Sequence, residues 1–268
     1  MATTIHPTAQ VSPKAELGDN VVIGHCAVVE DNVVIGDYSR IEAFASVKAY
    51  TRMGKSNTIH SYAMVGGIPQ DLKFHGEESW LELGDSNNVR EFATLHRGTE
   101  GGGGVTRIGS NNLFMAYTHI AHDCQLGSQI VMSNAATLAG HVVVGDAAIL
   151  GGFCAVHQFC RIGPHAFVGG MSGIGMDLPP YMLASGHRAD LHGPNLVGLR
   201  RMQASRETLA AVRSAYRIIW LSGIPRQEAL EQVEKEFAAV PEVLEIAAFV
   251  RSAERGVLAA SSKENGLD

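Results

Sequence analysis

Charge is scarce in this chain: Asp, Glu, Lys and Arg make up 18% of its 268 residues, and the net charge is -6. No long basic run is present, so nothing offers a track for phosphates, and the negative balance argues against a nucleic-acid partner. Long apolar runs are missing too. No stretch reaches ~18 apolar residues, which excludes a membrane-spanning helix. The first residues, MATTIHPTAQ, show no basic segment followed by an apolar one, so no signal peptide is read there. Only four cysteines occur, Cys26, Cys124, Cys154 and Cys160, and none is in CxxC spacing. That excludes a disulfide framework and leaves small buried residues of a reducing, cytoplasmic protein as the expectation. With 46% hydrophobic residues the chain still holds enough apolar material for a sizeable core.

That apolar material is metered. Every sixth residue from Ile5 to Val65 is aliphatic or Met (Ile5, Val11, Leu17, Ile23, Val29, Ile35, Ile41, Val47, Met53, Ile59, Val65). The beat returns from Ile108 through Phe114, Ile120, Leu126, Met132, Leu138 and Val144 to Ile174, and Leu83, Val89 and Leu95 join the two runs. Neither a helix nor an ordinary strand has this period; it is the signature of a hexapeptide β-helix. The anchor fills the inside of a narrow prism. The fifth residue of each hexad is mostly small or β-branched, and the second is often Gly (Gly18, Gly24, Gly36, Gly109, Gly127, Gly145, Gly163). Glycine there is read as serving a turn that demands positive φ. Three hexads make one triangular coil, and coils stack about 4.8 Å apart through parallel ladders.

Two segments interrupt the beat, at about 66–81 (GGIPQDLKFHGEESWL) and about 99–106, where Gly101 to Gly104 are consecutive. Loops leaving a solenoid tend to gather on its binding face; the glycine tract is read as a flexible exit loop. After Ile174 the beat stops, and 176–195 reads as a Pro- and Gly-punctuated connector. A helical period follows, with Ser205 as N-cap and Gly223 as stop, then helices over 227–239 and 242–255, and a polar, frayed end at SSKENGLD. The expected organisation is a parallel β-helix over 1–190 and an α-helical C-terminal domain over 191–268 that caps an open coil end.

Twelve histidines are many for so sparsely charged a chain, and His119, His122, His141 and His157 lie close together. His122 is the third residue of its hexad; stepping by one coil gives Gly140 and then Gln158. The three should share one edge of the prism, with His141 and His157 beside it. An imidazole next to a Gly N–H suits acyl transfer: the first takes a proton from an alcohol, the second holds an oxyanion. Asp123 could orient the ring, although adjacent strand residues point apart. Two other readings stand beside this one. The histidines could be solvated surface, or His119, His122 and His141 could hold Zn²⁺ across a subunit interface, as in hexapeptide-fold carbonic anhydrases.

The stretches NLFMAYTHIAHDCQLG, ATLAGHVVVGD, GGFCAVHQFCRIG and VGGMSGIGMDLPPYMLASG, with IPQDLKFHGE and LHRGT, closely resemble the UDP-N-acetylglucosamine O-acyltransferases that open lipid A biosynthesis. The resemblance covers nearly the whole chain. It implies an all-β solenoid plus α cap, a left-handed parallel β-helix with a C-terminal helical domain. It also implies transfer of a (3R)-hydroxyacyl group from acyl carrier protein to the 3-position of UDP-N-acetylglucosamine, with no metal or bound cofactor. In that family's pattern His122 looks like the general base, Asp123 its supporting carboxylate and Gly140 the oxyanion-hole amide. His119, His141 and His157 look like substrate-positioning residues, and Asp71 and Lys73 like contacts to sugar and acyl groups. Gln158, Asn195 and Arg201 look like contacts to the nucleotide sugar, and Gly170 sits where the family measures acyl length, its small size pointing to a longer chain. The family often carries Asn-His where this chain has His187 and Arg188. Flat prism faces around a threefold axis predict a homotrimer with the site between neighbours. Arg213 and Arg217 are candidates to dock the acidic carrier protein, or simply form a solvated helix face. A related N-acyltransferase would be expected to carry an N-terminal uridine-binding domain, for which hexads starting at Ile5 leave no room, and a structural β-helix would carry no activity.

Overall fold

An aliphatic side chain at every sixth position becomes, in the computed structural model, three columns of stacked anchors. The structure describes residues 2–262; the 263–268 part of the SSKENGLD end lies outside the described residues. Ile23 pairs in register with Ile41, Ile41 with Ile59, Ile59 with Val89, Val89 with Phe114 and Phe114 with Met132. Two-residue strands repeat this three times around the prism, giving sheets of eleven, nine and eight strands. All pairings between coils are parallel, and the architecture is a left-handed parallel β-helix with a helical C-terminal region. From Ile23 to Ile174 the anchors are buried to within a few per cent, and each large one contributes about 1.5–3 kcal/mol by leaving water, whereas Ile5 on the first coil is exposed and Val11 and Leu17 are only partly covered. Not every fifth position is small. Asn57, Asn87 and Asn112 are buried there, and their amides hydrogen-bond along the axis, Asn87 Nδ2 to Asn57 Oδ1 at 3.1 Å and Asn112 Nδ2 to Asn87 Oδ1 at 2.8 Å.

The corners correct one reading. Positive φ falls on the fourth residue of the hexad, as at Tyr38 (60°), Asp123 (61°) and His141 (60°), and not on the second-position glycines. Those glycines are required by the next coil instead. A Cβ on Gly36 would lie 2.6 Å from the carbonyl carbon of Gly54, and one on Gly109 2.6 Å from the Gly127 oxygen. The third-position N–H of the same corner is taken by a third-position side chain one coil on, Asp19 N to Asp37 Oδ1 and Ser128 N to Asp146 Oδ1, both at 2.7 Å.

Both interruptions leave the prism at one corner, directly after Val65 and after Leu95, which stack on each other and on Ile120. Two strands that the connector reading missed, Met182–Ser185 and Asp190–Pro194, form an antiparallel hairpin on the eleven-stranded sheet. Helix α1 (Leu196–Arg201) was also missed: it is too short to show a period. Helices α2 (Arg206–Tyr216, capped by Ser205 and running into a π-turn before Gly223), α3 (Arg226–Glu236) and α4 (Pro241–Arg251) follow the expected order, α3 and α4 ending earlier than read. Cys124, Cys154 and Cys160 are buried, whereas Cys26 sits half-buried at a corner. No helix among the described residues is long and apolar enough to cross a membrane.

Candidate active site

His122 and Asp123 occupy the third and fourth positions of the corner that follows Ile120. Because the fourth position is left-handed, the two side chains do not diverge as strand neighbours would. His122 Nδ1 lies 2.7 Å from Asp123 Oδ2. The carboxylate is wholly buried, and its other partners come from the second interruption: Thr99 N donates to Oδ1 (2.8 Å) and the Thr99 hydroxyl to Oδ2 (2.7 Å). The Thr106 hydroxyl accepts from the Asp123 amide at 2.7 Å. The glycine tract is therefore no loose exit. It folds over Asp123 so closely that a Cβ on Gly102 would stand 2.0 Å from the carboxyl carbon. Thr99, Gly102 and Thr106 were not found from the sequence, since only the coil register after a seven-residue excess brings them to Asp123.

Gly140 stacks one coil beyond His122, and a Cβ there would lie 2.6 Å from His122 Cε1. The flanking amides are used, Ala139 N to the Val156 oxygen and His141 N to the His122 oxygen at 3.0 Å each. The buried Gly140 N–H has no acceptor among the described residues. His141 meets His122 edge to face, with centroids 5.2 Å apart, and stacks on Phe159 at 4.5 Å. Its Nε2 is 3.7 Å from Asp123 Oδ2. Burial lowers its pKa, against the pull of Asp123, which keeps the ring neutral near pH 7. His122, Asp123 and His141 together offer three metal-ligating atoms within 4.8 Å of one another, a different set from the one read off the sequence. His119 is not part of that set: its Nδ1 pairs with the Thr94 hydroxyl at 2.8 Å, and His96 packs edge-on against it.

His96 also escaped the sequence reading. Burial, then the charges of His119 and His122, push its pKa down to about 4 from 6.5. The unfolded chain thus takes up this proton first on acidification, so the stability present above about pH 6.5 is lost as pH falls toward 4. Thermal melts across that window should show a steep acid limb that His96→Gln flattens; an unchanged limb would refute the assignment.

Asp71 and Lys73 stand on the first interruption and, with Thr99, His141 and Phe159, line a cleft of about 660 Å³. His157 is exposed, its Nδ1 3.1 Å from the Gln158 oxygen, and it borders an apolar cavity of about 650 Å³ with Ala155, Ile174 and Met176. Gln158 is exposed above Gly140. One chain thus gathers Asp71, Lys73, His119, His122, Asp123, Gly140, His141, His157 and Gln158 along one corner and its sheet. The other three lie elsewhere. Gly170 is at the corner after Val168 of the eleven-stranded sheet, where a Cβ would meet the Gly152 oxygen at 3.3 Å. Asn195 and Arg201 line a cavity of about 220 Å³ on that sheet with Phe167 and Leu183. The Asn195 side chain is itself engaged, capping α1 through Gly198 N and donating to the His165 oxygen, both at 2.9 Å.

A family model described as "Udp N-acetylglucosamine O-acyltransferase; Domain 2" matches residues 177–258, and one for bacterial transferase hexapeptide repeats matches 15–49. The chain is 51% identical over 257 residues to the acyl-[acyl-carrier-protein]--UDP-N-acetylglucosamine O-acyltransferase of Aliarcobacter butzleri, covering 94% of this chain and 97% of that protein. It is 51% identical to the enzyme of the same name from Thiobacillus denitrificans, over 95% of this chain and 99% of that one. The solved structure of LpxA from Acinetobacter baumannii superposes with a TM-score of 0.93 at 40% identity, covering 95% of this chain and 99% of that chain. A histidine–carboxylate pair on a hexapeptide coil, in a chain alike to these enzymes from end to end, has one consequence: this chain belongs to the UDP-N-acetylglucosamine O-acyltransferase family.

Proposed function

We propose that the chain transfers a (3R)-hydroxyacyl group from acyl carrier protein to the 3-position of UDP-N-acetylglucosamine, opening lipid A biosynthesis, with His122 as general base. The observation that carries the mechanism is the Asp123–His122–Gly140 arrangement. Asp123 holds the proton of the neutral ring on Nδ1, which leaves the Nε2 lone pair to take the proton of the sugar hydroxyl. The alkoxide adds to the thioester carbonyl, and the unpaired Gly140 N–H receives the developing oxyanion. Collapse expels the pantetheine thiolate, which recovers the proton from the His122 imidazolium. Asp71 and Lys73 would hold the sugar, Gln158 the nucleotide sugar, and His119, His141 and His157 the positions of both substrates.

Gly170, Asn195 and Arg201 have roles only if a second copy presents them to this corner. A homotrimer, with acyl length set at Gly170 and the nucleotide held at Asn195 and Arg201 of a neighbour, satisfies that need. Mixing the protein with a (3R)-hydroxyacyl carrier protein and UDP-N-acetylglucosamine should yield an O-acylated UDP-sugar by mass spectrometry, undiminished by a chelator. The His122, Asp123 and His141 set gives a metal-dependent reading its footing. Stoichiometric zinc, with activity abolished by chelation, would put that reading in place of this one.

A further inference from the structure

Arg97 is buried, 7% exposed, and forms no ion pair among the described residues. Its Nε has no hydrogen-bond partner there, and its one side-chain hydrogen bond is a 3.3 Å contact to the Ala49 oxygen. An apolar side chain in that place would avoid the cost of desolvating a cation. The carboxylates of Glu30 and Glu77 attract it from beyond ion-pair distance, and what the guanidinium has in contact is two aromatic faces: the Tyr50 ring at 5.1 Å and the Phe74 ring at 5.4 Å. Tyr50 belongs to the solenoid and is braced edge-on by Trp80, at 5.3 Å. Phe74 belongs to the first interruption and directly follows Lys73. The Arg97 amide also donates to the Gly67 oxygen at the start of the same loop (3.0 Å).

The loop is thus held at Gly67 and at Phe74, and between these points Asp71 and Lys73 reach the cleft that contains His141, while Leu72 stands fully exposed. We infer that Arg97 is a positioning residue: by clasping Phe74 against Tyr50 it fixes the loop that presents Asp71 and Lys73 to the sugar. The inference rests on the reading of Asp71 and Lys73 as sugar contacts. A planar, delocalised guanidinium can lie between two rings, whereas a lysine ammonium is a hydrated point charge and cannot replace it.

The test uses the full chain and four single variants of the clasp, Arg97→Met, Arg97→Lys, Phe74→Leu and Phe74→Tyr, together with one double variant and the loop variants Asp71→Asn and Lys73→Met. Phe74 sits on the inserted loop, outside the coils, so its variants leave the solenoid intact whatever Arg97→Met does to folding. Arg97→Met, Arg97→Lys and Phe74→Leu should each raise KM for UDP-N-acetylglucosamine about tenfold while kcat changes little, and Phe74→Tyr should behave as wild type. The Arg97→Met/Phe74→Leu double variant should be no worse than the worse single one, since both remove the same contact. Trypsin should cut after Lys73 faster in the impaired variants, with an unchanged Tm for Phe74→Leu. Multiplying effects in the double variant, or wild-type trypsin resistance in Phe74→Leu, would overturn the clasp. If instead the loop opens to trypsin while Asp71→Asn and Lys73→Met keep the wild-type KM, the clasp stands and the sugar-contact reading falls.

Discussion

Replacing His122 with alanine should lower kcat by about 10³-fold, within the ~10²–10⁴ that a positioned general base supplies, and leave KM nearly unchanged. The side chain sits at a corner and is only partly buried, so the fold does not depend on it. Its partner also survives its loss: Asp123 keeps both hydrogen bonds to Thr99, so no uncompensated charge is created. The Tm should accordingly stay within a few degrees of wild type, which separates a chemical defect from unfolding. The cavity left by the ring stays next to the carboxylate, and added imidazole should restore part of the lost rate. Steady-state kinetics with hydroxyacyl carrier protein as donor check both points. Wild-type turnover in His122→Ala would sink the general-base assignment and with it the proton path through Nε2.

Gly140→Ala should be nearly as damaging, about 10²-fold in kcat, from the addition of a single methyl group. The N–H remains, so the loss does not come from removing a donor. The new Cβ would stand 2.6 Å from His122 Cε1 and 2.8 Å from Nε2, inside contact distance of the atom that takes the proton. The ring cannot swing freely away, because Asp123 holds its far side and Thr99 holds Asp123. Base, oxyanion donor or both must shift, and a displacement near 1 Å costs on the order of 10²-fold in rate. Gly152, a glycine at another corner with no close contact to a ring, gives the control: its Cβ would meet the Asn134 oxygen at 3.3 Å and the Ser133 Cβ at 4.0 Å. Equal activity in Gly140→Ala and wild type would mean that the His122 ring and the Gly140 amide do not act on one substrate atom.

The hexad beat made the solenoid legible because one side chain per six residues must enter a core too narrow for more. The same arithmetic put Gly140 beside His122, and there the ring and the glycine touch. What the beat did not carry was conformation at the corners. The second-position glycines suggest turn formers, but a close approach between coils requires them, and the left-handed residue two places later is more often Tyr or Phe than Asn. That error had a chemical consequence, since it made Asp123 look misdirected. Thr99 and His96 stayed hidden for another reason: their partners are fixed by register across an interruption, and a loop of irregular length hides register from a periodicity. At Asn195 it is the local structure that a period does not show: within one chain its side chain caps α1 through Gly198 N and donates to the His165 oxygen.

The placement of both interruptions at a single corner, on consecutive coils just before His122, makes the site sensitive to a count that the fold ignores. One more set of three hexads spliced in after Leu95's coil would find its ladder partners above and below and extend the prism smoothly. It would also carry the histidines about 4.8 Å along the axis, away from Thr99 and the Asp71 loop. A solenoid is translationally indifferent to its own length, but this one carries a fixed origin, and its chemistry exists only at the coil next to that mark.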